Sequence, residues 1–297
     1  MRLSDNARGA LYMSISMASF TCGDAAMKLA LQHIPQYQAI TIRGVMATLW
    51  LILLARAMKG LTLRIGRRDA FFLTLRSISE VLSTAVFIAA LVHLDLPNLS
   101  AIMQALPLAV TLASAIVFRE PIGWRRLSAI LIGFVGVMII VRPGLEGFSI
   151  WSVLGLATVF WVVIRDLATR KLSRNVPSVM VAVFASVSVT STYAIVNVAM
   201  GWQPMDWHDA IPLVFAAVAL LFGYLFSVMV MRVGDVSYTA PFRYTAMLWA
   251  MALGWLLFDV LPDFYTIVGA TLVISTGLFT MWREKQIRQK AKAAQRR

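Results

Sequence analysis

Ionisable residues stand inside apolar stretches of this sequence at spacings that let them act on one another. Asp24 and Lys28 are four residues apart, and so are Arg76 and Glu80, the spacing at which side chains meet on one face of a helix. Arg165 and Asp166 are neighbours, while Arg43 and Arg243 sit singly among uncharged residues. In an apolar medium each such group costs at least a few kcal/mol, so each needs a partner, a cavity or a route to the polar boundary. Three kinds of chemistry fit: static ion pairs that hold helix ends in register, gates that exchange partners, and charged contacts to a solute. Asp24, Lys28 and Arg43 form the expected outer cluster. Arg165, Asp166 and Arg243, with Arg76 entering from the opposite end of its own helix, form the expected inner one. Glu80 is the acid nearest the middle of a span, either paired with Arg76 or facing a solute ammonium.

The medium follows from composition. The 297 residues are 60% hydrophobic and only 14% charged, with a mean hydropathy of +0.77. Soluble domains carry about 25% charge, too much for this chain to imitate. Runs of about 20 apolar residues are the length of a membrane-crossing helix. Ten are expected, at 10–32, 36–58, 69–93, 97–118, 123–142, 149–171, 177–200, 209–232, 236–258 and 264–282. The first is long enough to span rather than to serve as a cleaved signal.

Charge placement sets the orientation. Of 27 Lys and Arg residues, 21 fall in loops or ends on one side and only Arg142 on the other; that asymmetry puts both termini in the cytoplasm. The net charge of +13 is therefore a topology signal, and no nucleic-acid partner is expected. The single cysteine, Cys22, excludes an internal disulfide. His33, His93 and His208 all fall at the expected outer rim, so no metal, cofactor or histidine-based catalytic site is expected. No phosphate-binding glycine loop or HExxH stretch occurs, which removes ATP hydrolysis and zinc peptidase chemistry.

The chain also repeats itself. At an offset of 142 residues Asp24 meets Asp166, Ala26 meets Ala168, Lys28 meets Arg170 and Pro35 meets Pro177. Pro97-Asn98-Leu99-Ser100 followed by Pro107 resembles Gly234-Asp235-Val236-Ser237 followed by Pro241. Both fifth spans carry glycines, Gly133 and Gly136 in one and Gly269 and Gly277 in the other. Five spans per copy, an odd number, invert the second copy relative to the first. Such inverted repeats enclose solute sites in carriers that work by alternating access. Residues 1–145 and 146–283 are the two expected repeats, followed by a basic cytoplasmic tail at 284–297.

A cavity in such a fold is expected to draw on spans 1, 3, 4, 6, 8 and 9. Its candidate lining residues are Phe20, Glu80, Met103, Gln104, Trp161, Tyr224, Tyr238, Phe242 and Tyr244, a set suited to an organic solute with a polar head. The fifth span of each half is expected at the periphery or at a dimer contact. Trp202 and Trp207 are placed as interfacial belt residues.

These residues together resemble the drug/metabolite transporter superfamily, in particular bacterial ten-helix exporters built from two EamA repeats. The resemblance runs from about residue 8 to 283. It is carried by Asp24 with Lys28, Pro35, Arg43, Arg76-Ser77, Pro107, Arg119-Glu120-Pro121, Trp124-Arg125, Gly133, Gly136, Arg142-Pro143-Gly144 and Pro241 through Tyr244. The second copy departs from it, with Asp259 at a different spacing where the first has Glu120. The resemblance implies an all-α carrier of the bacterial inner membrane that exports small metabolites, chiefly amino acids and aromatic ones among them. Uptake of S-adenosylmethionine or nucleoside-like solutes, and broad drug export, are the alternatives within the class. A membrane sensor, a scaffold or a membrane-embedded enzyme is the alternative outside it. The expected partners are a small-molecule solute and membrane lipid, with the chain a monomer or a homodimer.

Overall fold

Long apolar runs leave the backbone one way to satisfy its own polar groups without water, and that is helix. The computed structural model describes residues 4–57, 65–120, 122–143, 148–173, 175–233 and 236–294, and no strand occurs among them. The turns at Pro121, Gly144 and Gly234-Asp235, which carry part of the family resemblance and of the repeat, lie outside the described residues. The helices are α1 (Asp5–Ala30), α2 (Gln36–Ala57), α3 (Arg67–His93), α4 (Leu96–Met103), α5 (Leu106–Phe118) and α6 (Trp124–Val141). Then come α7 (Ile150–Lys171), α8 (Ser178–Met200), α9 (Trp207–Arg232), α10 (Val236–Thr239), α11 (Thr245–Phe258) and α12 (Phe264–Ala294), with a 3-10 turn at Ala240–Tyr244.

Among the described residues, eight helical segments are long and apolar enough to cross a membrane, counting α4 and α5 as one. The other two expected spans are 10–32 and 236–258. The first lies in α1, where Asp5, Arg8, Asp24 and Lys28 interrupt the apolar run. The second is divided among α10, the 3-10 turn and α11, which alone has 14 residues.

The two fourth spans are the discontinuous ones. Pro107 lacks the N–H that would bond the carbonyl four residues back, and the helix breaks at Gln104 and Ala105 before α5 restarts. In the second copy Pro241 sits in the 3-10 turn that precedes α11. The helices after the breaks close alike, α5 on Arg119 and α11 on Asp259, both left-handed with φ of 53° and 52°.

The described helices pack into two compact units, and neither follows the 1–145 and 146–283 division of the repeat. The first unit comprises 1–21, 95–152 and 222–297; the second comprises 22–94 and 153–221. Each therefore draws on both halves of the sequence.

In the first unit α6 packs along α12. The seam is backbone on backbone: a Cβ at Gly136 would lie 2.8 Å from the Gly269 carbonyl oxygen, and one at Gly269 would lie 2.5 Å from that of Gly136. Small residues allow such approach where no hydrophobic force drives helices together. These glycines are thus turned inward to a contact within the chain, rather than outward to a second copy. At one end Arg142 pairs with Asp263 and lies 4.4 Å over the Tyr265 ring.

In the second unit α2 packs along α8, and here hydroxyls meet. Thr48 Oγ1 lies 2.7 Å from Ser186 Oγ and 3.1 Å from Thr190 Oγ1. Thr48 and Thr190 are themselves 142 residues apart, so repeat-equivalent positions touch. Gln38 closes one end: its Nε2 donates to the Gln203 carbonyl at 3.0 Å, and its Oε1 accepts from the Gln203 N–H at 3.0 Å.

Candidate functional site

Charged and polar side chains concentrate differently in the two units. In the second unit α3 carries Arg76 and Glu80 one turn apart, and α7 carries Arg165, Asp166 and Thr169. Glu80 Oε2 lies 3.5 Å from Arg76 Nη2, and Oε1 lies 3.4 Å from Arg165 Nη1. Arg165 holds Asp166 at 2.9 Å through both Nε and Nη2. Arg76 donates through Nε to Thr169 Oγ1 at 3.0 Å and through Nη1 to the Val181 carbonyl at 3.5 Å. The side chains of Arg76, Glu80 and Arg165 are 13%, 17% and 25% exposed, screened but within reach of a solute. Arg243 is exposed on the 3-10 turn of the first unit.

The other expected cluster also lies in the second unit. Asp24 feels the positive charge of Arg43. Lys28 reaches the end of α3, where its Nζ donates to the carbonyls of Leu91 at 2.7 Å and Leu94 at 2.6 Å. These are carbonyls that the helix end cannot satisfy internally, and a cation suits the negative end of the helix dipole. The same unit holds Trp161, half-buried and edge-on to the exposed Phe160 at 5.3 Å.

The first unit supplies the broken helices and most of the aromatic candidates. Phe20 meets Tyr224 edge-on at 5.6 Å and closes over Gly223, where a Cβ would lie 2.6 Å from its ring. Ser16 donates to the Gly223 carbonyl at 2.8 Å, and Tyr12 packs on Phe226 at 5.7 Å, so α1 lays a stripe of one turn's spacing along α9. At the break of the fourth span Met103 ends α4 and Gln104, 6% exposed, follows it. Tyr238 lies 6.2 Å from Phe242 at the second break. Tyr244 is 5% exposed, its hydroxyl has no hydrogen-bond partner among the described residues, and it lies where Gly277 leaves room.

Sequence reasoning passed over the Thr169 and Val181 partners of Arg76, the Thr48–Ser186–Thr190 group, and the bond from Thr266 to Asn98 at 3.0 Å. The 142-residue offset makes Thr48 and Thr190 equivalent positions without saying that they touch. Nothing local marks the others. No cluster of metal-ligating side chains occurs among the described residues.

Many apolar helices, two of them broken at corresponding places, and a screened charge network define a multi-pass helical membrane protein with the parts of a carrier. Residues 7–142, just under half of the chain, match the EamA-like transporter family, of the drug/metabolite transporter superfamily. The chain is 28% identical over 197 residues to a riboflavin transporter of Vibrio cholerae, a match that spans 65% of each chain and so just under two thirds of that relative. It is 25% identical over 276 residues to the pseudopaline exporter CntI of Pseudomonas aeruginosa, covering 90% of this chain and 93% of that one. An S-adenosylmethionine uptake transporter of Rickettsia bellii is 25% identical over 187 residues, 63% of this chain and 64% of its own. A crystal structure of a protein with 16% identity covers 92% of the chain with a TM-score of 0.61, a likeness of fold.

Proposed function

We propose that the chain is a secondary carrier that exports small metabolites, amino acids foremost, across the bacterial inner membrane by alternating access between two inverted five-span halves. The single observation that carries this reading is the pair of proline-broken fourth spans. Corresponding interrupted helices in the two halves of a carrier mark where its solute binds, and here the breaks bring Gln104 and Tyr244 to helix ends. Export rather than uptake is supported by the pseudopaline exporter, the relative that matches over 93% of its length. Ten crossings are supported by the lengths of the apolar runs, and cytoplasmic termini by the loop charges.

Reconstitution into liposomes tests the reading. Purified protein should give saturable flux of at least one labelled amino acid that protein-free liposomes lack. Absence of flux for amino acids, riboflavin and S-adenosylmethionine alike would leave a sensor or scaffold. Uptake of S-adenosylmethionine is the second reading, supported by the Rickettsia relative, and the same panel separates the two. Orientation is tested by cysteines placed at Trp207 and at Lys59 in a Cys22-free background. An impermeant thiol reagent should label the first in intact cells, and the second only after permeabilisation.

A further inference from the structure

Four charged side chains of the second unit form an open chain of alternating sign: Arg76, Glu80, Arg165, Asp166. Its links are unequal. Arg165 grips Asp166 at 2.9 Å, whereas Glu80 stands 3.5 Å from Arg76 and 3.4 Å from Arg165. Well-formed guanidinium–carboxylate pairs close to about 2.7–2.9 Å. Glu80 is thus divided between two guanidiniums and seated on neither, and its buried Oε2 has no hydrogen-bond partner among the described residues. The four groups sum to no net charge, and their side chains remain between 13% and 35% exposed. The site is screened without being sealed.

We propose that the Arg165–Glu80 link is the recognition site for a zwitterionic head group, a carboxylate and an ammonium borne by one carbon. In the empty protein Glu80 stands in for the solute's carboxylate. The inference rests on the carrier reading above and narrows it to a class of solute. Inserting the zwitterion replaces one loose pair with two, the solute's carboxylate on Arg165 and its ammonium on Glu80. Every charge keeps a partner and the local sum of charges is unchanged. That matters because a charge left unpaired away from water is far costlier than an exchanged pair. An anion alone would displace Glu80 and then face it. A cation alone would draw Glu80 from Arg165 and add an uncompensated positive charge to the site. A neutral solute gains nothing here. Arg76 acts as a positioning residue: held by Thr169 and the Val181 carbonyl, it keeps Glu80 in place when Arg165 turns to the solute.

The test is calorimetric titration of the full-length protein in lipid nanodiscs. The probes are the 20 standard L-amino acids and S-adenosylmethionine. Each binder is followed by its methyl ester, which lacks the carboxylate, and its N-acetyl derivative, which lacks the ammonium. At least one zwitterion should bind, and both derivatives should bind about tenfold more weakly or worse, the loss of one charge-assisted bond. In Glu80→Gln the parent zwitterion should weaken by about tenfold. The N-acetyl form should instead bind more tightly than it does to the wild type, because Arg165 is released to it. Equal weakening of both ligands in Glu80→Gln would mean a structural Glu80 and would overturn the proposal. If Glu80→Gln does not fold, the derivative series on the wild type decides alone. An ester bound as tightly as its parent, or no zwitterion bound, sinks the proposal as well. Saturable flux of riboflavin in the same preparation would then show that the carrier reading survives without it.

Discussion

The two compact units are held by different chemistry. The first is sewn along α6 and α12 where two glycine backbones touch, with a charged pair at one end only, so that the question along most of its length is one of space. The second is sewn along α2 and α8 through hydroxyls, and across α3 and α7 through charge. A steric seam tolerates no added atom and is indifferent to polarity. A polar seam tolerates added atoms where a side chain can rotate aside, and it is sensitive to the loss of any one partner. The contrast sets close backbone packing in the first unit against polar side-chain contacts in the second.

The largest effect should come from the charged side of the comparison. Arg165→Gln strips Glu80 and Asp166 of a shared partner; breaking a fully buried pair costs about 3–5 kcal/mol, and the partial exposure of these side chains keeps the expected loss at the lower end, about 3 kcal/mol. Thermal melts in detergent should show the drop, and Glu80→Gln in the Arg165→Gln background should recover part of it. Additive losses would show that these side chains are not coupled. Next comes Lys28→Met. It removes a cation from two carbonyls at the end of α3, and hydrogen bonds to charged groups are worth about 1.5–3 kcal/mol. An unchanged melting temperature would mean that water replaces Lys28 there.

Paired glycine substitutions sharpen the comparison directly. At Gly136 the added Cβ meets the Gly269 carbonyl, which cannot turn away. Gly136→Ala should therefore cost about 1–3 kcal/mol, as overpacking does. At Gly44 the added Cβ would lie 2.5 Å from Thr190 Oγ1, the end of a rotatable side chain. Gly44→Ala should cost clearly less than Gly136→Ala in the same melts; the reverse order would erase the distinction between the two seams. The smallest effect expected is that of Thr48→Val, which removes the hydroxyl shared with Ser186 and Thr190. Interhelical bonds of this kind average about 0.6 kcal/mol, and a loss above about 2 kcal/mol would mark Thr48 as more than one bond among many.

The helical, membrane-crossing character was legible because it depends on apolar run length, which is local. The breaks were not foreseen: 97–118 and 236–258 were expected as whole spans, although Pro107 and Pro241 each remove a backbone donor. Spacing along one helix does place Arg76 beside Glu80. It says nothing of Arg165, which reaches Glu80 from another helix 85 residues away, nor of the Val181 carbonyl that Arg76 finds on α8. Lys28 shows the same limit: spacing along α1 points to Asp24 and says nothing of the Leu91 and Leu94 carbonyls that its ammonium also reaches at the end of α3. Grouping into units was hidden for a related reason. The offset of 142 residues reports likeness between halves, and likeness does not say which helices share a surface. That depends on where Gly136, Gly269, Thr48 and Thr190 face.

The interleaving of the units bears on how such a chain could be encoded. α2 and α6 precede Pro143, their packing partners α8 and α12 follow Phe148, and each compact unit needs one helix from either side. Two separate genes, cut between those residues, would yield polypeptides with no complete seam of their own and two ready-made ones with each other. Co-expressed, they should assemble as an obligate heterodimer, and either one alone should be cleared by membrane proteases. The peptide link between the halves would then be a convenience of stoichiometry, guaranteeing one copy of each, rather than a part of the fold.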